Sequence, residues 1–131
     1  MIRRAWRRLQ LGRRGVAAIE YAIVLPVFLT VVFGTIEMGR LMWYQVALQR
    51  ATAVAARCGG IANATCATDA LIRSKAASSA PGLTLATSVF VVSRETCGVK
   101  VTGNLPFQYS LRYLGLPAQT LTSTACHPLV N

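Results

Sequence analysis

The chain has 131 residues, of which 53% are hydrophobic and only 14% are charged. This length suffices for one small domain and one membrane segment, and the charged fraction lies well below the roughly 25% usual in soluble domains. A formal net charge of +10 is typical of nucleic-acid-binding proteins. The later cations are scattered, however, and form no basic stripe interleaved with aromatic residues. The composition therefore argues against nucleic acid as a partner.

The basic residues are concentrated at the N-terminus. Six arginines precede the first long apolar run, whereas Arg40 alone follows closely after it. The six are Arg3, Arg4, Arg7, Arg8, Arg13 and Arg14. Cytoplasmic flanks of membrane helices are enriched in Lys and Arg. The charge distribution therefore predicts a cytoplasmic N-terminus, with everything after about residue 38 outside the cytoplasm.

The apolar run from Val16 to Ile36 contains one charged residue, Glu20. At about 1.5 Å per helical residue, this run spans roughly the 30 Å hydrocarbon core of a bilayer. A cleaved signal peptide has a shorter apolar core and a small-x-small site after it. We therefore predict a transmembrane helix over residues 16–37, preceded by a basic leader over residues 1–15.

Glu20 is the unusual residue of this segment. A carboxylate costs about 2.5–3.5 kcal/mol at the bilayer centre and less near the interface. Glu20 lies about one turn inside the cytoplasmic edge, so a solvated glutamate, or one approached by Arg13 and Arg14, remains an alternative to a partner in another chain. An uncleaved signal anchor explains the arginines and the apolar run, but it gives Glu20 no role.

These residues also resemble a known family. The order Gly15-Val-Ala-Ala-Ile-Glu20-Tyr21 is similar to the processing motif of type IVb prepilins and Tad pseudopilins. With Pro26 and the later Ile36-Glu37-Met-Gly39-Arg40, it resembles the TadE-like family of the bacterial tight-adherence (Flp) pilus assembly systems in particular. The detailed resemblance covers about residues 13–58, and the C-terminal part is similar only in character.

The resemblance implies how the chain would be processed and used. A prepilin peptidase would cut after Gly15, so the mature chain would begin at Val16 with a free amine. Glu20 would pair with the amine of a neighbouring subunit, and Tyr21 would serve peptidase recognition or packing. The implied function is that of a minor pilin in the biogenesis, initiation or tip of a Tad pilus. Implied partners are other pilins or pseudopilins, the peptidase, the inner-membrane assembly platform and membrane lipid.

An a/d-type seam continues beyond the apolar run and predicts that the helix extends over residues 38–58. Its members are Leu41, Tyr44, Leu48, Ala51, Ala55 and Cys58. Gly59-Gly60 is a stop signal. We expect the seam to cover the sheet of the same chain more readily than to pack against a neighbouring subunit.

The remaining residues, 59–131, predict a small α+β head of pilin-like character. Residues 68–79 predict a short helix with Thr68 as its N-cap. Alternating and β-branched segments predict three or four antiparallel strands packed on the long helix. The predicted strands cover residues 83–92, 98–102, 106–111 and 120–125.

All four cysteines follow the apolar run, so they would lie in an oxidising compartment. Four cysteines permit three pairings. We favour Cys58–Cys66, which would close the helix end onto the next loop, and Cys97–Cys126, which would join two strands. There is no CxxC spacing, and the only histidine, His127, abuts Cys126, so a metal site is not expected.

The sequence shows no catalytic set. It offers one histidine and four acidic residues, and it has no Gly-rich phosphate loop. We therefore expect a structural subunit that has no cofactor. It would lie in the bacterial inner membrane with a periplasmic head, or in an extracellular pilus after assembly. Two other functions remain open: an uncleaved single-pass scaffold with a disulfide-bonded head, and a membrane protein whose basic leader contacts anionic lipid or nucleic acid.

Overall fold

The computed structural model describes residues 13–61, 64–110, 115 and 117–130. Two helices and three strands follow one another in this described part of the chain. They are α1 (Arg13–Gly60), α2 (Asp69–Ser78), β1 (Phe90–Glu95), β2 (Gly98–Phe107) and β3 (Gln119–His127). Single 3₁₀ turns occupy Ala64–Cys66 and Thr87–Val89. This order confirms the α+β prediction of a long helix followed by a short helix and an antiparallel sheet.

The chain divides into two compact units, Met1–Ile36 and Glu37–Asn131. The described part of the first unit is the beginning of α1. Its large apolar side chains are exposed, as shown by Ile19 and Ile23, each 66% exposed. The hydroxyl of Thr30 donates to the carbonyl oxygen of Pro26 at 2.8 Å, and that of Thr35 donates to Val31 at 2.6 Å. Polar side chains that are satisfied within their own helix are compatible with a lipid environment.

In the second unit, the later half of α1 packs on the sheet. Leu48, Ala51 and Ala55 are fully buried, and they are the central members of the predicted seam. Small side chains let the helix approach closely. At Gly103 of β2, an added Cβ would lie only 2.8 Å from Cδ1 of Leu48. The seam thus covers the sheet of its own chain, as the sequence favoured.

The sheet is antiparallel in the order β1-β2-β3. β1 pairs with β2 from Phe90↔Gly103 to Glu95↔Gly98, and β2 pairs with β3 from Val99↔His127 to Phe107↔Gln119. Alternate residues face α1, and Phe90, Val101 and Phe107 on this face are almost completely buried. The opposite face is polar, as expected for an antiparallel sheet with one solvated side.

Helix α2 begins at the predicted N-cap. The hydroxyl of Thr68 accepts from the amide of Leu71 at 3.4 Å. Ile72 and Ala76 are buried in the core, so α2 covers the part of the core near β1. Asp69 also forms an ion pair with Arg94 of β1 at 3.0 Å. This pair is about half exposed, so it adds little to stability.

Three strand predictions were wrong in detail. The strand predicted over 83–92 begins only at Phe90, after the 3₁₀ turn Thr87–Val89. The predicted strands 98–102 and 106–111 form one strand that ends at Phe107, although residues 111–114 lie outside the described part. The strand β2 continues through Pro106 because β1 pairs with β2 only as far as Gly103. Beyond that residue β2 is open on one side, which is where proline is tolerated.

The end of α1 also differs from the prediction by two residues. The helix runs through Gly59 and Gly60, where both glycines are needed for close packing. A Cβ on Gly59 would lie 2.8 Å from Cγ1 of Val99, and one on Gly60 would lie 2.5 Å from Nδ1 of His127. The amide of Val130 donates to the carbonyl oxygen of Gly60 at 3.0 Å. The pair of glycines therefore serves contact with the sheet as well as helix termination.

Candidate functional site

The predicted processing residues lie together near the start of α1. Gly15, Val16, Glu20 and Tyr21 are all helical and exposed, and the Tyr21 side chain is 73% exposed. Apart from its chain neighbours and its own helix backbone, no described atom lies within 4 Å of the position a Cβ would take on Gly15. Within the first unit, these residues are therefore accessible to another protein.

Val16 and Glu20 are four residues apart in one helix, so they lie on the same face about one turn apart. The Glu20 carboxylate forms no ion pair with any side chain that the structure describes. The side chains of Arg13 and Arg14, and all of residues 1–12, lie outside that part. Glu20 is thus a carboxylate presented on an otherwise apolar helical surface.

A second polar cluster begins at Glu37. The guanidinium Nη1 of Arg40 donates to both carboxylate oxygens of Glu37, at 2.9 and 3.1 Å. The backbone amide of Ser110 donates to Oε1 of Glu37 at 3.2 Å, and Arg40 also donates to the Ser110 hydroxyl. The sequence contained both charged residues of this cluster. No pattern in the sequence predicted that Ser110, about seventy positions away, would belong to the same cluster.

An aromatic group adjoins this cluster. The Arg40 guanidinium lies over the Phe107 ring at 5.6 Å from its centroid. Phe107 makes edge-to-face contacts with Tyr44 and Tyr109, with ring centroids 5.4 and 5.3 Å apart. Residues of α1 and of the end of β2 are thereby joined through both charge and ring contacts.

Residues 15–57 match the family model of TadE-like protein. In this segment the chain is similar to TadE-like proteins. No curated protein and no solved structure matches the chain.

The TadE-like segment coincides with the helix that could cross a bilayer. Among the described residues, one helix, Gly15–Gly60, is sufficiently long and apolar, with a best-window mean hydropathy of 2.3 and none of that window buried. This fits a single-pass membrane protein. The match ends at residue 57, so it includes the whole buried seam except Cys58.

Two disulfides follow the TadE-like segment. Cys58 joins Cys66 with Cα atoms 5.7 Å apart, and Cys97 joins Cys126 with Cα atoms 6.2 Å apart. These are the two pairs that the sequence favoured, and both Cα distances are ordinary for disulfides. The first ties the end of α1 to the 3₁₀ turn at Ala64–Cys66, and the second ties the β1–β2 turn to β3.

Proposed function

We propose that this chain is a minor pilin, or pseudopilin, that acts in the biogenesis, initiation or tip of a Tad (Flp) type IVb pilus. The observation that carries this proposal is the TadE-like match, which starts at Gly15 and coincides with an exposed apolar helix. A subunit that leaves the bilayer for a fibre must bury such a surface first in lipid and then against other subunits. The chain is accordingly a structural part, not an enzyme.

In this proposal the leader, residues 1–15, is removed by a prepilin peptidase that cuts between Gly15 and Val16. The exposure of this bond supports the assignment, as does the glycine, which offers the peptidase no side chain to accommodate. Tyr21 is exposed further along the same helix, where its ring can contact the peptidase or a neighbouring helix. Residues 16–37 then cross the inner membrane, residues 38–58 extend the helix, and residues 59–131 form the periplasmic head.

Assembly would depend on Glu20 and on the new amine of Val16. An α-amine has an ordinary pKa of about 8 and is therefore cationic near neutral pH. A cation and a carboxylate that are each costly in lipid compensate one another when they meet, and removing one leaves the other unpaired. Because Glu20 has no described ion-pair partner in its own chain, the amine of an adjacent subunit is the partner we propose.

N-terminal sequencing and intact-mass measurement of the membrane-extracted protein test this function. Cells with an active prepilin peptidase should yield a chain that begins at Val16, and this chain should co-purify with other pilins of the system. A chain that retains its leader in such cells would overturn the processing step. It would favour the alternative of an uncleaved single-pass scaffold with a disulfide-bonded head, whose core forms with the later half of α1 and needs no cleavage to fold.

A further inference from the structure

The cluster around Glu37 begins directly after the uncharged run that ends at Ile36. We propose that Glu37 and Arg40 form a latch that holds Tyr109 and Ser110 against α1 and thereby keeps the end of the core covered. Opening the latch would release these residues and uncover Phe107 while the rest of the sheet stays folded. The proposal concerns only the compact unit Glu37–Asn131 and does not depend on the proposed pilus function.

The latch starts where the sheet ends. The last paired residues of β2 and β3 are Phe107 and Gln119, so Tyr109 and Ser110 lie beyond the strand ladder. The Glu37 carboxylate accepts the amide proton of Ser110 at 3.2 Å, which gives this residue a charged acceptor in place of a strand partner. Arg40 donates to the Ser110 hydroxyl as well, so Ser110 is held by both members of the ion pair.

The aromatic contacts connect the latch to the core. Phe107 is only 2% exposed, although it is the final residue of β2. Its ring is covered by the Arg40 guanidinium at 5.6 Å and by the edge-to-face ring of Tyr109 at 5.3 Å. If the Ser110 amide no longer bonds to Glu37, the adjacent residue Tyr109 is no longer held in place. The apolar ring of Phe107 then loses its contact with the Tyr109 ring.

The Glu37–Arg40 pair differs from the other ion pairs of the described chain. Its Glu37 side chain is only 12% exposed, whereas Glu95, which pairs with Lys100, is 46% exposed, and Asp69, which pairs with Arg94, is 42% exposed. Exposed pairs contribute little, but a hydrogen bond to a partly buried charge contributes more. The Glu95–Lys100 pair also joins only the two strands of one hairpin, so it makes a matched control.

Hydrogen–deuterium exchange on the full chain in detergent tests the latch. The variants are Glu37→Gln, Arg40→Gln, the double variant, and the control Glu95→Gln. In Glu37→Gln, the acceptor of the Ser110 amide becomes a neutral amide oxygen. Exchange at Tyr109 and Ser110 should therefore quicken about tenfold, because hydrogen bonds to charged groups are stronger than those to neutral groups. Exchange within β1 and within the paired part of β2 should stay unchanged, and Glu95→Gln should leave exchange at Tyr109 and Ser110 as in the parent chain.

The double variant distinguishes a latch from two separate contacts. If Glu37 and Arg40 act as one unit, Glu37→Gln/Arg40→Gln should quicken exchange little more than the larger single effect does, because contacting residues are coupled. Unchanged exchange at Tyr109 and Ser110 in Glu37→Gln would overturn the proposal. Equal quickening throughout the sheet would also overturn it, because the pair would then support the whole fold and not a separately opening segment.

Discussion

Oγ1 of Thr52 on α1 lies 2.9 Å from Oγ of Ser123 on β3, and these are the two buried polar residues of the described core. The Thr52 hydroxyl also lies within hydrogen-bonding distance of two carbonyl oxygens of its own helix, those of Leu48 at 3.1 Å and Gln49 at 3.0 Å. A hydroxyl that donates to its own helix can accept the proton of Ser123. A directional contact thus joins the helix to the edge strand inside their apolar interface, in addition to the exposed hydrogen bond from Nε2 of Gln45 to the carbonyl oxygen of Thr122 at 3.2 Å.

The Thr52 hydroxyl can also bond to carbonyl oxygens of its own helix. Removing the Thr52 hydroxyl and removing the Ser123 hydroxyl should therefore have unequal effects on stability. Thr52→Val leaves the Ser123 hydroxyl buried without its partner and should lower the free energy of unfolding by about 1–3 kcal/mol. Ser123→Ala leaves Thr52 with its helix carbonyls and should cost less, about 1 kcal/mol. In the double variant the orphaned hydroxyl is gone, so the loss should be smaller than the sum of the two single losses. Thermal unfolding followed by circular dichroism measures all three, and strictly additive losses would contradict the account.

A second prediction concerns Gly98, the first residue of β2. Its φ of +116° is unfavourable for any other residue, and an added Cβ would lie 2.1 Å from the carbonyl oxygen of His127. Gly98→Ala should therefore destabilise the head by more than the roughly 1–3 kcal/mol that backbone strain alone costs. Gly39 is the matched control, since no described atom other than its chain neighbours and its own helix backbone lies within 4 Å of its Cβ position. Gly39→Ala should stabilise the helix by about 0.5–1 kcal/mol, and a Gly98→Ala chain as stable as this control would refute the contact.

The two disulfides should differ in their contribution to stability. In the chain-entropy view, the Cys97–Cys126 bridge, with a sequence separation of 29, contributes about 3.6 kcal/mol, and the Cys58–Cys66 bridge, with a separation of 8, contributes about 2.5 kcal/mol. Replacing both cysteines of one bridge by serine should therefore lower the melting temperature more for the longer loop. Denaturant titration of each double-serine variant checks the order, and a larger loss for Cys58–Cys66 would contradict it.

The role proposed for Glu20 makes a prediction that separates cleavage from assembly. Glu20→Ala should leave cleavage after Gly15 largely intact, because the cut bond is five residues away, and should impair incorporation with other pilins. Intact mass measures the first effect, and co-purification together with fimbriation measures the second. Glu95→Ala, which removes an exposed carboxylate of the head, should alter neither. Normal fimbriation by the Glu20→Ala chain would contradict the charge-pairing account.

Much of this fold follows from local patterns in the sequence. The seam residues Leu48, Ala51 and Ala55 recur at helical spacing, and Thr68 has the side chain that an N-cap requires, so both features were predictable. The interruption expected between the predicted strands 98–102 and 106–111 was not found. Proline is excluded where a strand has neighbours on both sides, and the sequence of one strand does not show how many neighbours it has. Similarly, the partnership of Glu37 with Ser110 depends on where the end of β2 meets α1, which no local pattern encodes.

The positions of the two disulfides have a mechanical consequence. Tension that enters through α1 and leaves at the C-terminus would pass across each bridge and would bypass the residues between its cysteines. The bypassed residues 98–125 include all of β2 and most of β3, so the longest ladder of the sheet cannot be unravelled by pulling. At about 3.3–3.6 Å per residue, the Cys97–Cys126 bridge prevents on the order of 100 Å of chain from extending under tension. A subunit pulled in this way would keep its β2–β3 ladder even if α1 were detached from the sheet.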